Sequence, residues 1–118
     1  MPEYALTIEV HTRPVGVTVV ALAGELDHHT APRLHRAVER TAEELPLVLD
    51  LTRLGFCDSV GVAELLFAFR RTRAAGTSLA LAGTTADLGR LLAMAGVDGL
   101  LPSHATVDAA VDALHRGG

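Results

Sequence analysis

The sequence has no tryptophan and no lysine, one cysteine at Cys57, and only 3% aromatic residues among its 118. Without aromatic bulk the interior has to be aliphatic. Leucine, valine and alanine supply it, in a chain that is 49% hydrophobic. That is ample for a packed core and unlike the composition of a disordered tail. A lone cysteine forms no internal disulfide, which fits a reducing compartment. All ten basic residues are arginine, and fourteen acids against them leave a net charge of -4. This balance argues against direct nucleic-acid binding, which wants a basic stripe, and offers no attraction to an anionic membrane. No apolar run approaches the roughly 20 residues that span a bilayer. The opening MPEYALTIEV lacks the basic and apolar regions of a signal peptide. One cytoplasmic domain over residues 1–118 is expected.

What is present alternates between two periods. Leu6 to Val10 alternates apolar and polar residues, as a half-exposed strand does, and a turn follows at Arg13-Pro14-Val15-Gly16. Val17 to Leu22 is β-branched and nearly continuous, so the two runs read as a hairpin. Thr30 is placed to cap a helix with Pro32 in its first turn. Leu34, Ala37, Val38, Thr41 and Leu45 share one face of that helix, and Pro46 closes it. Leu47 to Leu51 reads as a strand, Thr52 to Asp58 as a connection, and Ser59 to about Ala75 as a helix ended by Gly76. Ser78 to Ala82 is a further strand. Thr84, with Asp87 three residues on, resembles a capping box for a helix closed by Gly96. Leu100-Leu101 reads as a short edge strand ended by Pro102, and Thr106 caps a last helix. The order β-β-α-β-α-β-α-β-α implies an α/β fold with a mixed, mainly parallel sheet and about four helices.

The most informative stretch runs from Leu49 to Val62, where a buried strand passes through a connection into a helix at Asp58-Ser59. In open α/β sheets, functional groups gather beyond the carboxyl ends of strands. Ser59 falls in the first helical turn, where free N–H groups and the positive dipole end favour an added phosphate. On pattern alone, capping is the better explanation of Asp58 and Ser59, because both residue types are common caps. Cys57 just before a helix raises a small thiol enzyme as an alternative, but beside Phe56 it reads better as a core residue. Ser59 lacks the G-x-S-x-G elbow of serine hydrolases. There is no G-x-G-x-x-G and no P-loop, so no cofactor is expected. His28 and His29 adjoin Asp27, but adjacent histidines point apart and no second ligand cluster has metal-like spacing, so no metal is expected. His11, His35, His104 and His115 are scattered and read as solvated. An enzyme is not expected.

Gly24-Glu25-Leu26-Asp27-His28-His29-Thr30, taken with Phe56-Cys57-Asp58-Ser59-Val60-Gly61-Val62, resembles the anti-sigma factor antagonists of the STAS domain family, the sporulation type above all. The resemblance covers essentially the whole chain and implies a mixed sheet with helices largely on one face. It also implies a partner switch. The unphosphorylated antagonist binds an anti-sigma factor that is also a serine kinase, and so frees a sigma factor. The kinase phosphorylates the antagonist's serine, and a PP2C-type phosphatase restores it. Carried onto this chain, the phosphorylated residue is Ser59, Asp27 lies in the adjoining loop, and Asp58 flanks it. The neighbouring position, commonly Ser or Thr in the family, is Val60 here, which leaves Ser59 as the one acceptor in the motif. Partner contact is expected from Leu26, Val60, Gly61 and Val62, ringed by Asp27, Asp58 and Arg53. The alternative within the fold is a STAS scaffold or small-ligand module outside kinase control.

Overall fold

Residues 6–117 are described by the structure, a computed structural model. Five strands form one sheet in the order β1-β2-β3-β4-β5, with β1 (Thr7–Arg13), β2 (Val17–Leu26), β3 (Leu47–Cys57), β4 (Leu79–Ala82) and β5 (Ser103–His104). β1 runs antiparallel to β2, and every other pairing is parallel. The hairpin closes through Gly16, whose N–H donates to the Arg13 carbonyl at 2.9 Å with φ at 89°, a conformation open to glycine. The four helices are α1 (Ala31–Glu39), α2 (Ser59–Ala74), α3 (Ala86–Met94) and α4 (Val107–Gly117).

Strand alternation sorts the core into two layers. Val20, Leu22, Leu49, Leu51, Leu79 and Leu81 face α1, α2 and α3, whose Leu34, Val38, Leu65, Leu88 and Leu92 fill the larger core. On the opposite face Val17, Val19, Val48, Ala80 and Ala82 meet Ala110, Val111 and Leu114 of α4 alone. Leucines of β4 thus point to three helices, while its alanines let a single helix lie close. The helices are largely on one face, as expected.

The element order is the expected one, but several boundaries move, β1 and β2 running on to Arg13 and Leu26. β3 continues through the stretch expected as a connection, because Arg53, Leu54, Phe56 and Cys57 pair with the lengthened end of β2 through two register shifts. α1 stops at Glu39 rather than reaching Pro46. There Arg71 of α2 donates to the Glu39 and Thr41 carbonyls at 3.0 and 3.1 Å, capping α1 from another helix. α3 is capped by Thr85, whose hydroxyl accepts the Leu88 N–H at 3.2 Å, while the Thr84 hydroxyl accepts from Ser103. β5 follows Pro102 instead of ending at it. The Pro102 carbonyl accepts from Leu81 N–H at 2.7 Å, its missing N–H costs no ladder bond because pairing begins at Ser103, and Leu101 is buried as an anchor. His35, expected to be solvated, is half-buried. It stacks on Phe67 at 3.8 Å and its Nδ1 lies 2.9 Å from Glu64 Oε1, joining α1 to α2.

Candidate functional site

The carboxyl ends of β2 and β3 lie side by side, with Leu26 paired to Cys57. Beyond that pair each strand turns into a helix, and the two turns are bound together. Asp58 N–H donates to the Leu26 carbonyl at 3.2 Å. Asp58 is extended, with φ -105° and ψ -173°, and its Oδ1 accepts the Gly61 N–H at 2.9 Å, an N-cap for α2. Ser59 is the first residue of the helix and is exposed. The next two turn positions differ sharply. Val60 is 41% exposed, whereas Gly61 is buried so tightly that an added Cβ would sit 2.9 Å from the Leu26 carbonyl oxygen and 2.6 Å from Cys57 Sγ. Only glycine lets α2 press against the end of β2 and hold Ser59 in one place.

Asp27 follows Leu26 directly and organises the turn into α1. Its Oδ1 accepts the N–H groups of His29 and Thr30 at 2.9 and 3.1 Å. The buried Thr30 hydroxyl accepts Asp27 N–H at 3.0 Å and donates to the Glu25 carbonyl at 2.8 Å. Thr30 occupies the cap position of α1, yet its hydroxyl is spent on this turn and makes no cap bond. Desolvation pulls the Asp27 carboxyl upward, but the amides of Thr30 and His29 outweigh it and hold the group below the usual carboxylate range. His28 and His29 do not point apart as expected; their rings stand 4.0 Å from each other on this exposed turn.

Leu26, Asp58 and Gly61 are therefore one hydrogen-bonded and packed unit, with Asp27 and Ser59 next to it along the chain. Three residues expected at the contact surface lie inside it: Leu26 is fully buried, Val62 is 4% exposed, and Gly61 is covered by Leu26 and Cys57. They support the surface from beneath because their side chains complete the core under α2. Arg53 is exposed but pairs with Ala23, about 13 Å down the strand from Cys57 at strand rise, and stands apart from the unit. Phe56, 50% exposed, is the apolar surface residue that pattern reading missed. A large apolar side chain in a stretch expected as a connection was the available signal. Phe56 also borders a cleft of about 380 Å³ lined by Leu54, Gly55, Cys57, Thr85, Asp87 and Leu88.

Burial, reinforced by the neighbouring Asp58 charge, pushes the Cys57 thiol up to about 12. A thiol held protonated at neutral pH is no nucleophile, so this geometry gives the thiol-enzyme alternative no support. Among the described residues no three His, Cys, Asp or Glu side chains gather to hold a metal ion, and no helix is long and apolar enough to cross a membrane.

The family model described as STAS domain matches residues 7–110. The chain belongs to the STAS family. Among STAS proteins it is 34% identical over 91 residues to the anti-sigma F factor antagonist of Paenibacillus polymyxa, across 74% of this chain and 77% of that one. It is 31% identical over 98 residues to the anti-sigma-B factor antagonist of Listeria monocytogenes, across 81% of this chain and 86% of that one. The crystal structure of an anti-sigma factor antagonist from Mycobacterium paratuberculosis superposes with a TM-score of 0.83 at 30% identity, covering 92% of this chain and 93% of that one. The STAS fold accounts for the mixed sheet, its one antiparallel pair and the four helices.

Proposed function

We propose that this protein is an anti-sigma factor antagonist controlled at Ser59. Unphosphorylated, it binds an anti-sigma factor that is also a serine kinase, and a sigma factor is freed. The kinase transfers the terminal phosphoryl group of ATP to the Ser59 hydroxyl and ADP leaves. A PP2C-type phosphatase hydrolyses the ester, returning the hydroxyl and inorganic phosphate. The observation that carries this reading is an exposed hydroxyl at the first residue of α2, fixed by Gly61 against β2 and flanked by Asp58. The STAS relatives named as anti-sigma factor antagonists support it.

The physics of the switch follows from that position. A phosphate on Ser59 adds a charge of roughly -1.5 to -2 at a helix N-terminus, where the dipole tolerates it, so the fold stays intact. Docking is another matter. Phe56 and Val60 offer apolar contact, with Asp27 and Asp58 close by, Arg53 on the outer rim, and Leu26, Gly61 and Val62 as the support beneath. Burying a dianion there costs several kcal/mol unless the partner supplies a paired charge, and the two carboxylates add repulsion.

Incubation with the cognate kinase and ATP, read by intact mass, tests this directly. One phosphate should map to Ser59, and the modified protein should lose its anti-sigma partner. Ser59→Ala should stay bound and unmodified, while Ser59→Asp should bind at least about tenfold more weakly. Unweakened binding by fully phosphorylated protein would end the proposal. The cleft beside Phe56 favours a second reading, a STAS module that holds a small ligand outside kinase control. A protein that stays unmodified after the same incubation, and whose melting temperature rises with a ligand, would establish that reading instead.

A further inference from the structure

The sheet has two edges, and they are unlike. β5 is two residues long, whereas β1 presents seven, and among the described residues nothing pairs with its outer side. In an antiparallel ladder every second residue of an edge strand directs its N–H and C=O outward, so β1 is a template for another strand. Val10, at its midpoint, is 49% exposed. Edge strands are commonly guarded by charge, and β1 carries Glu9, His11 and Arg13. Their order matters more than their number.

A second copy can pair antiparallel with β1 about a two-fold axis normal to the sheet. Such an axis keeps like faces together, so the register must be centred on a residue. Centring on Glu9 sets two carboxylates directly opposite each other, which is destabilising. Centring on His11 sets two imidazoles opposite and draws Pro14, which has no N–H, against Ile8. Centring on Val10 uses all seven residues. Val10 then meets the partner's Val10, Ile8 meets the partner's Thr12, Thr7 meets the partner's Arg13, and Glu9 meets the partner's His11 twice over. An imidazole N–H can donate to that carboxylate whether or not the ring is charged. We propose that β1 is a self-pairing edge through which two copies of this chain join about Val10, merging two five-stranded sheets into one. The two-fold closes the assembly, so it stops at a dimer rather than growing into a fibre.

A contact of this extent is small for a specific interface, so the dimer belongs to the micromolar-to-millimolar range. Sedimentation equilibrium of the full chain over that range should show a reversible monomer–dimer equilibrium. Glu9→Lys and His11→Glu should each weaken it about tenfold, and the double exchange should restore it by recreating the opposed charges. With Cys57 replaced by alanine, Val10→Cys should form an intermolecular disulfide well ahead of Val15→Cys, a hairpin-turn control of matching exposure at 48%. Both sites are on the surface, so the fold survives these changes. A chain that remains monomeric throughout, charge reversal without rescue, or equal cross-linking at the two cysteines would each overturn the proposal.

Discussion

α2 and α3 begin alike and are used differently. Each follows a parallel strand, and each is capped by a side-chain oxygen that accepts the third residue's N–H, Asp58 from Gly61 at 2.9 Å and Thr85 from Leu88 at 3.2 Å. The contrast is at that third residue. In α3 it is Leu88, a buried side chain that packs into the core. In α2 it is Gly61, with no room for even one carbon beside Leu26 and Cys57. α3 is therefore held at its start by side-chain packing, and α2 by direct approach to a neighbouring strand. Close approach at Gly61, with the Asp58 N–H bond to Leu26, is what joins the start of α2 to the end of β2; α3 opens with Ala86. A good cap alone does not make a switch site.

Substituting the glycines tests this contrast most strongly. Gly61→Ala forces a carbon against the Leu26 carbonyl and should cost about 1–3 kcal/mol as overpacking does, with weaker partner binding as α2 shifts; urea denaturation measures the first. A loss under half of that would mean that α2 is free to slide and that the contrast is overstated. Removing each cap should be nearly symmetric: Asp58→Ala and Thr85→Ala each lose about 1 kcal/mol by the same denaturation measurement. Only the first should also alter binding, read by calorimetric titration with the anti-sigma partner. Gly89→Ala, in the first turns of α3 with nothing within 4 Å of the new carbon, should instead stabilise by about 0.5–1 kcal/mol, a rise in the urea midpoint.

The element order was legible because hydrophobic period, caps and breakers all agree along this chain. What could not be read was decided across the fold. Thr52 to Cys57 carries glycine and polar residues, like a connection, and becomes strand because β2 extends beside it through its register shifts. α1 ends where Arg71 of another helix reaches the carbonyls of Glu39 and, just beyond it, Thr41. At the site, Asp58-Ser59 followed by a glycine could be read as a helix start. That Leu26, Gly61 and Val62 are beneath the surface while Phe56 is on it could not, because exposure depends on which strand end α2 meets. His35 looked isolated for the same reason, since its partners Phe67 and Glu64 belong to another helix.

The Asp27 turn offers the finest test, because α3 has nothing that corresponds to it. The carboxyl of Asp27 sits below its ordinary value in the folded chain, its desolvation outweighed by the amides of Thr30 and His29. A carboxyl lowered on folding contributes stability above its unfolded pKa of about 3.9 and loses it as pH falls through the folded value. Asp27→Asn keeps an oxygen acceptor for the two N–H groups but cannot ionise. The native protein should therefore be slightly more stable than the variant at neutral pH, and the gap should close as the pH drops below about 4. Urea midpoints at neutral and acid pH decide it. A gap that persists unchanged in acid would show that the charge on Asp27 does not hold the turn, leaving the close approach at Gly61 and the Asp58–Leu26 hydrogen bond to tie the two strand ends into one site.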